Sequence, residues 1–235
     1  MRQSKLFTKT TKTIPKDEIS LNAQLLVKAS FIDKVMAGVY TYLPLGLIVL
    51  RKIQNIIREE MNQINGQEIL MPALTPKENW LATNRWDNFD ALFRLTGRDE
   101  KEYALGATHE EIVTPLVRRF VFSYQDLPCA VYQIQDKFRN EPRAKSGLLR
   151  GREFNMKDLY SFHRDENDLN EYYEKAKEAY FKIFKRCGIE AILVEATGGA
   201  FSKFSHEFQV VAENGEDTVY FCEECGRHQN EELNP

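Results

Sequence analysis

The sequence predicts an α+β protein built on an antiparallel sheet flanked by helices. Two alternating runs, Cys129 to Glu141 and Arg150 to Phe162, are joined by a short loop, as in a local hairpin. Long amphipathic helical stripes occur at residues 46–64 and 166–187. Strand-like runs outnumber helices through the middle of the chain, which disfavours a doubly wound parallel sheet.

A chain of 235 residues accommodates one large or two modest domains. With 43% hydrophobic and 29% charged residues a sizeable core can form, which excludes global disorder and collagen-like repeats. Thirty-two Lys and Arg against 35 Asp and Glu leave a net charge of -3, so any RNA contact must rest on a local basic patch. The longest apolar stretch, Leu43 to Leu50, is interrupted by Pro44 and Gly46 and is too short to span a bilayer. Residues 1–20 lack an apolar signal region, and four Cys are too few for a disulfide scaffold. These features predict a cytoplasmic globular protein with no membrane partner.

The polar residues 1–20, with Pro15, read as an arm. Leu50, Ile53, Ile57, Met61 and Ile64 then share one face of a helix, which Asn65-Gly66 ends through the left-handed tolerance of Gly. Gln67 to Met71, bounded by Pro72, fits a strand, and residues 75–102 read as loop around Trp80 and Trp86. Tyr103 to Gly106 fits a short strand. Thr108 and Glu111 have capping-box spacing before the apolar positions Ile112, Leu116 and Val117. Further on, Gly188 closes the helix over 166–187, Gly198-Gly199 marks a turn, and Ile189–Val194, Phe208–Ala212 and Thr218–Phe221 read as strands.

The hairpin carries the chemistry. Alternation puts Val131, Gln133, Gln135, Lys137, Arg139 and Glu141 on one face, with Arg150, Arg152, Phe154, Met156, Asp158 and Tyr160 opposite. Two or three arginines around one point clamp a polyphosphate, a carboxylate accepts from an exocyclic amine, and a phenyl ring stacks on a base. This suits a nucleoside triphosphate held without a P-loop, and no G-x-x-x-x-G-K-[ST] string occurs. The same pattern suits a surface ion-pair ladder of small energetic value, which periodicity alone slightly favours.

Phe138-Arg139-Asn140-Glu141, a basic loop and Arg150-Gly151-Arg152-Glu153-Phe154 resemble motif 2 of the class II aminoacyl-tRNA synthetases: F-R-x-E, a variable loop, then R-x-x-x-F. The helix from Gly46 through Glu68-Ile69-Leu70-Met71 to Pro72 looks like motif 1. Gly106-Ala107-Thr108-His109-Glu110-Glu111, Tyr132-Gln133-Ile134-Gln135, Arg152 through Asp158, and Ser205-His206-Glu207-Phe208-Gln209 are similar to the bacterial-type prolyl branch. The resemblance runs in order from about residue 4 to about residue 232.

It implies a ligase that activates L-proline with ATP and Mg²⁺ and passes it to tRNA(Pro). Arg139 would touch both the α-phosphate and the proline carboxylate, and Glu141, Arg150, Arg152 and Phe154 would complete the nucleotide side. Thr108 and Glu110 match the T-x-E element that holds the proline imino group, and Met156, Asp158 and His206 would line the rest of that pocket. Glu110 also suits this chemically, since a secondary ammonium needs a carboxylate acceptor. Arg143 and Lys145, in the basic loop, would touch the tRNA acceptor end, and motif 1 implies a homodimer. A carboxylate nucleophile is ionised at pH 7, so catalysis rests on alignment and charge stabilisation.

The sequence departs from the pattern in two places. No G-x-G-x-x-R string, the motif 3 element, occurs, and there is no anticodon-binding domain, so the chain reads as an N-terminal portion. Its expected divisions are an arm over 1–20, the catalytic core over 21–221, and the start of an insertion over 222–235. The segment Gly198 to Phe204 is also longer than the usual family form. Cys222-x-x-Cys225, with His228 three residues on, has the spacing that begins a zinc knuckle. A structural zinc then needs a further ligand, and such Cys pairs are often only a turn. His109 and His163 read as ordinary polar residues. The alternative to an enzyme is a non-catalytic synthetase-like protein that keeps nucleotide or tRNA contacts.

Overall fold

In the computed structural model, which describes residues 2–13, 18–198, 202–213 and 215–233, helix α1 (Leu21–Lys28) leads into the hairpin β1 (Ile32–Met36) and β2 (Val39–Tyr42). Next come α2 (Pro44–Gln63), β3 (Gln67–Glu68), β4 (Leu74–Pro76), α3 (Lys77–Ala82), β5 (Arg94–Thr96) and β6 (Glu102–Leu105). These are followed by α4 (Glu110–Arg118), β7 (Cys129–Phe138), β8 (Glu153–Phe162) and α5 (Glu166–Arg186). The chain divides into two units, Met1–Asn170 and Glu171–Pro235, with the boundary inside α5.

In the first unit, the described part of residues 1–20 docks on α1 and the β1–β2 hairpin. Thr11 N–H donates to the Lys28 carbonyl (3.0 Å), and buried Glu18 meets Lys34 (2.8 Å) and the Tyr40 hydroxyl (3.2 Å). Helix α2 begins two residues before the expected Gly46, because Pro44 suits the first turn, where no N–H is needed. Its buried stripe is narrower than the periodicity predicts. Met61 is buried and Leu50, Ile57 and Ile64 are half-buried, but Ile53 is exposed beside Ile48 and Val49. The left-handed residue after the helix is Asn65 (φ 61°), not Gly66. Gly66 matters for closeness instead: a Cβ there would stand 3.0 Å from the Met61 carbonyl oxygen and 3.1 Å from the Tyr132 ring.

The expected strand over 67–71 is only two residues long and lies parallel to β7. Beyond it, side chains replace the ladder. Ile69 N–H still donates to the Tyr132 carbonyl (2.8 Å), but Met71 N–H donates to Gln133 Oε1 (3.0 Å) and Gln135 Nε2 donates to the Met71 carbonyl (3.0 Å). Pro72 has no N–H to continue a strand. Residues 75–102 are not loop: β4, β6 and β5 form a three-stranded antiparallel sheet, capped by α3. Trp80, Trp86, Leu92, Ala104 and Ala107 form its buried core, and Trp80 stacks on Phe89 (centroids 6.3 Å apart). Elements of three to six residues carry too few turns or alternations to show a period.

The β7–β8 hairpin is antiparallel in unbroken register from Cys129↔Phe162 to Phe138↔Glu153. Strand β8 starts at Glu153 rather than Arg150, because Arg152 and Glu153 N–H both donate to the Gly38 carbonyl (2.7 and 3.2 Å) in the β1–β2 turn. A second core cluster under the hairpin joins Met71, Val113 and Val117 to Ile69, Val131, Tyr160 and Phe162.

The second unit contains β9 (Ile192–Gly198), β10 (Ser202–Gln209), β11 (Val219–Phe221) and β12 (His228–Asn230), in the order β10-β9-β12-β11. Strand β9 starts three residues later than expected, β10 replaces the expected strand over 208–212, and β12 is too short for the sequence pattern to announce it. The expected turn falls partly on Gly199, which lies outside the described residues. Phe208 packs among Tyr180, Phe181 and Phe184 of α5, and Gly188 ends that helix at φ 76°. No helix among the described residues is long and apolar enough to cross a membrane.

Trp80 should be the most sensitive core position of the first unit. Its indole N–H donates to Thr75 Oγ1 (2.8 Å), which in turn donates to the Ala104 carbonyl (3.0 Å). Trp80→Ala should lower unfolding stability by about 3–5 kcal/mol in urea denaturation. Thr75→Val, which strands the indole N–H, should cost about 1–3 kcal/mol.

Candidate active site

Arg139 stands just past β7, where its N–H donates to the Arg152 carbonyl (2.8 Å). Its guanidinium lies 5.4 Å from the centre of the Phe154 ring, and its Nε donates to the Ala107 carbonyl (3.4 Å). Burial pulls its pKa below the ordinary arginine value, opposed by the carboxylates of Glu141 and Glu110. Glu141 receives Arg150 Nε on its carboxylate (3.3 Å) and Arg152 Nε on its backbone carbonyl (3.0 Å). Arg150 is 54% exposed, so this pair is an outward, adjustable contact. Arg152 also donates to the Ala37 carbonyl (3.0 Å), which makes it a brace between the two hairpins. Arg143 and Lys145 lie exposed in the loop.

On the other side of Arg139 lies the start of α4. The expected capping box is not formed: His109 occupies the N-cap without a side-chain cap bond. The Thr108 hydroxyl donates instead to Glu110 Oε2. Glu111 is fully buried, taking Arg85 (2.8 Å) and Thr83 (2.9 Å) on Oε1. Arg85 also reaches Glu110 Oε2 at 3.3 Å. The Glu110 side chain keeps 41% exposure, whereas that of Glu111 has none.

Below this element the hairpin face is polar and buried. Gln133 and Lys137 are fully buried. Lys137 Nζ lies 2.9 and 3.0 Å from the two oxygens of Asp158 and 2.6 Å from His109 Nδ1. Gln133 Nε2 donates to the same carboxylate (3.0 Å), and His109 Nε2 lies 2.9 Å from the Pro72 carbonyl. His109 N–H donates to the Tyr160 hydroxyl (3.0 Å), and burial raises the Tyr160 pKa. Asp158 is therefore engaged within the protein, and Met156 is half-buried opposite Gln135.

The first unit thus brings Thr108, Glu110, Arg139, Glu141, Phe154, Met156 and Asp158 onto one side of the hairpin. His206 belongs to the second unit, on β10 beside Glu195, with its Nδ1 2.8 Å from the Tyr173 hydroxyl. Cys222 and Cys225 are exposed in the β11–β12 turn, and the His228 ring packs on Phe221 (4.9 Å). Among the described residues no group of three or more His, Cys, Asp or Glu stands together as a metal position.

Sequence reasoning missed Arg85, His109 and the role of Lys137. Arg85 sits in the stretch that reads as loop. Alternation puts Lys137 on the correct face but says nothing of what it meets, and only the neighbouring T-x-E element hinted at His109.

The site is an antiparallel hairpin presenting arginine, carboxylate and phenyl groups beside a Thr–Glu helix start. Residues 93–234 match the family model described as the tRNA synthetase class II core domain (G, H, P, S and T), and the chain belongs to that family. It is 51% identical over 228 residues to the proline--tRNA ligase of Pelotomaculum thermopropionicum, covering 96% of this chain and 40% of that protein. The proline--tRNA ligase of Thermotoga maritima is 49% identical over 234 residues, covering 99% and 41%. The fold resembles that of Giardia lamblia prolyl-tRNA synthetase in complex with prolyl-adenylate (TM-score 0.73, 20% identity, 80% of this chain and 40% of that one). It also resembles prolyl-tRNA synthetase from Cryptosporidium parvum complexed with L-proline and AMP (TM-score 0.70, 18% identity, 88% and 41%). The chain spans about two fifths of the length of the curated relatives it matches.

Burial and the nearby Lys137 charge hold the His109 pKa below its ordinary value of 6.5. The unfolded chain takes up a proton near that pH and the folded chain does not, so this contribution to stability is present above about pH 6.5 and lost as pH falls. In His109→Gln the amide oxygen can accept from Lys137 and the amide nitrogen can donate to Pro72. Urea midpoints at about pH 7.5 and about pH 5.5 should therefore differ less in His109→Gln than in the wild type.

Proposed function

We propose that this chain is the catalytic-core portion of a cytoplasmic prolyl-tRNA synthetase, which converts L-proline and ATP to prolyl-adenylate and transfers proline to tRNA(Pro). The observation that carries the reading is the position of Arg139, between the Phe154 ring and the Ala107 carbonyl next to Thr108 and Glu110. One fork-shaped cation there can touch an α-phosphate and an amino-acid carboxylate together. The relatives that match nearly the whole chain are proline--tRNA ligases, which supports the choice of amino acid.

On this reading Phe154 stacks on adenine, Glu141 accepts from the adenine amine, and Arg150 follows the phosphates. Arg152 serves the nucleotide side mainly as a brace. Thr108 and Glu110 take the proline ammonium, with Met156 and Asp158 behind them; for His206, in the second unit, the pocket role is the one the family resemblance implies. The proline carboxylate attacks the α-phosphorus in line as pyrophosphate leaves, and no general base is required. Mg²⁺ carried on the polyphosphate would neutralise part of its charge beside Arg139 and Arg150. Arg143 and Lys145 meet the tRNA acceptor end. The core spans residues 21–221, preceded by the arm over 1–20 and followed from 222 by the start of an insertion.

The proposal includes a homodimer. Ile48 (42%), Val49 (43%) and Ile53 (38%) leave an exposed apolar strip on α2, the helix that resembles motif 1. Sedimentation at micromolar concentration should show a dimer, and Ile53→Asp should shift it toward monomer.

Arg139→Ala in the full-length protein should reduce proline-dependent ATP–pyrophosphate exchange on the order of a hundredfold or more. Arg139→Lys should not restore it, since an ammonium lacks the bidentate fork. Near-normal exchange in Arg139→Ala would overturn the assignment.

A further inference from the structure

A fully buried lysine calls for an explanation, because an ammonium out of water is costly unless paired and hydrogen-bonded. Lys137 has Asp158 on one side and His109 on the other. An ammonium only donates and a carbonyl only accepts, so the bonding of His109 is determined. Nδ1 is the bare acceptor facing Lys137, and Nε2 carries the proton donated to Pro72. The ring also needs the missing side chain of Gly106, where a Cβ would stand 2.7 Å from its Cε1. With its N–H on Tyr160, His109 is held at three points.

We propose that Lys137 and His109 are the positioning residues of the proline-ammonium site, setting the Thr108–Glu110 pair that flanks His109 in the chain. The proposal rests on reading that pair as the ammonium acceptor. Three carboxylates lie close together here. Glu111 is buried with Arg85 and Thr83 on its Oε1, and Asp158 is held by Lys137 and Gln133. Glu110 keeps 41% of its side chain exposed, with its Oε2 taking the Thr108 hydroxyl and, at the longer distance of 3.3 Å, Arg85. Lys137 therefore acts twice. It neutralises Asp158, so that Glu110 is the carboxylate open to a ligand cation. It also ties the His109 ring, so that the Thr108–Glu110 backbone cannot rotate.

The first measurement is the imidazole ¹⁵N spectrum of His109 in the full-length protein. The expected result is a neutral ring protonated on Nε2 in the wild type, with Nδ1 a hydrogen-bonded acceptor; in Lys137→Met the Pro72 carbonyl keeps the proton on Nε2 while the Nδ1 resonance moves to that of an unbonded ring nitrogen. A wild-type ring protonated on Nδ1, a charged wild-type ring at pH 7, or an Nδ1 resonance unchanged in Lys137→Met would overturn the proposal.

The second measurement is exchange kinetics. Lys137→Met should raise the KM for proline on the order of tenfold or more while the KM for ATP changes by less than about threefold. His109→Leu should behave alike, and His109→Gln, which can keep both bonds, should lose less. If Lys137→Met does not fold, Lys137→Met with Asp158→Asn removes the stranded charge and answers the same question. Parallel rises in both KM values, or an unchanged KM for proline, would overturn the positioning role. A wild type with the expected tautomer but no proline-dependent exchange would overturn the functional reading, and the response of the Nδ1 resonance to Lys137→Met would still decide the placement claim.

Discussion

The ion pair of buried Lys137 with Asp158, extended to His109, is the constraint around which the first unit is arranged. A paired charge in the interior is sustained only if every remaining donor and acceptor around it is met. That condition reaches through Gln133 to the Met71 N–H, through His109 to Pro72, and through Tyr160 to the backbone of His109. It accounts for the interruption of the strand after Glu68, where glutamine side chains take over from the ladder. It also accounts for Gly106, which leaves space for the His109 ring. Loss of one partner would strand a charge, whereas replacement of the pair by neutral groups would not.

The same distribution of charge shapes the surface above. Near α4, Lys137 pairs with Asp158 and Arg85 with Glu111 and, at 3.3 Å, with Glu110, while Arg139 rests on an aromatic ring and a backbone carbonyl. Arg139 retains a charge that its partly buried setting disfavours, with an aromatic face on one side and a backbone carbonyl on the other. A guanidinium so placed is suited to an anionic ligand. Arg150 and Glu141 differ in kind: their contact is long and exposed, so it can rearrange without large cost.

The second unit follows a simpler rule. Its four strands carry α5 through aromatic contacts centred on Phe208, and its polar contacts are mostly exposed pairs such as Thr197 with Glu232. The Cys222–Cys225 turn is held by backbone bonds from Cys222 N–H to the Arg227 carbonyl and from Gly226 N–H to the Cys222 carbonyl. Backbone N–H groups of the turn and the Cys225 side chain lower the Cys222 pKa.

The sequence by itself determined the long elements and the family. The β7–β8 hairpin, α5 and most of α2 are long enough for a 2.0 or 3.6 residue period to show, and the motif around Arg139, Glu141 and Phe154 carries the family resemblance, although periodicity alone would also fit a surface ion-pair ladder. Only the tertiary structure decided the short elements over 74–105, the beginning of β8 and the end of α2. Each depends on a contact distant in sequence: Trp80 on Phe89 and Thr75, Arg152 on Gly38, and Gly66 against Tyr132. The same holds for Lys137. Alternation placed it on the working face, but its burial, its partner Asp158 across the hairpin and its bond to His109 from another element arise when three segments converge. A one-dimensional pattern records which face a side chain takes; the energy of a buried charge depends on what the other segments bring to it.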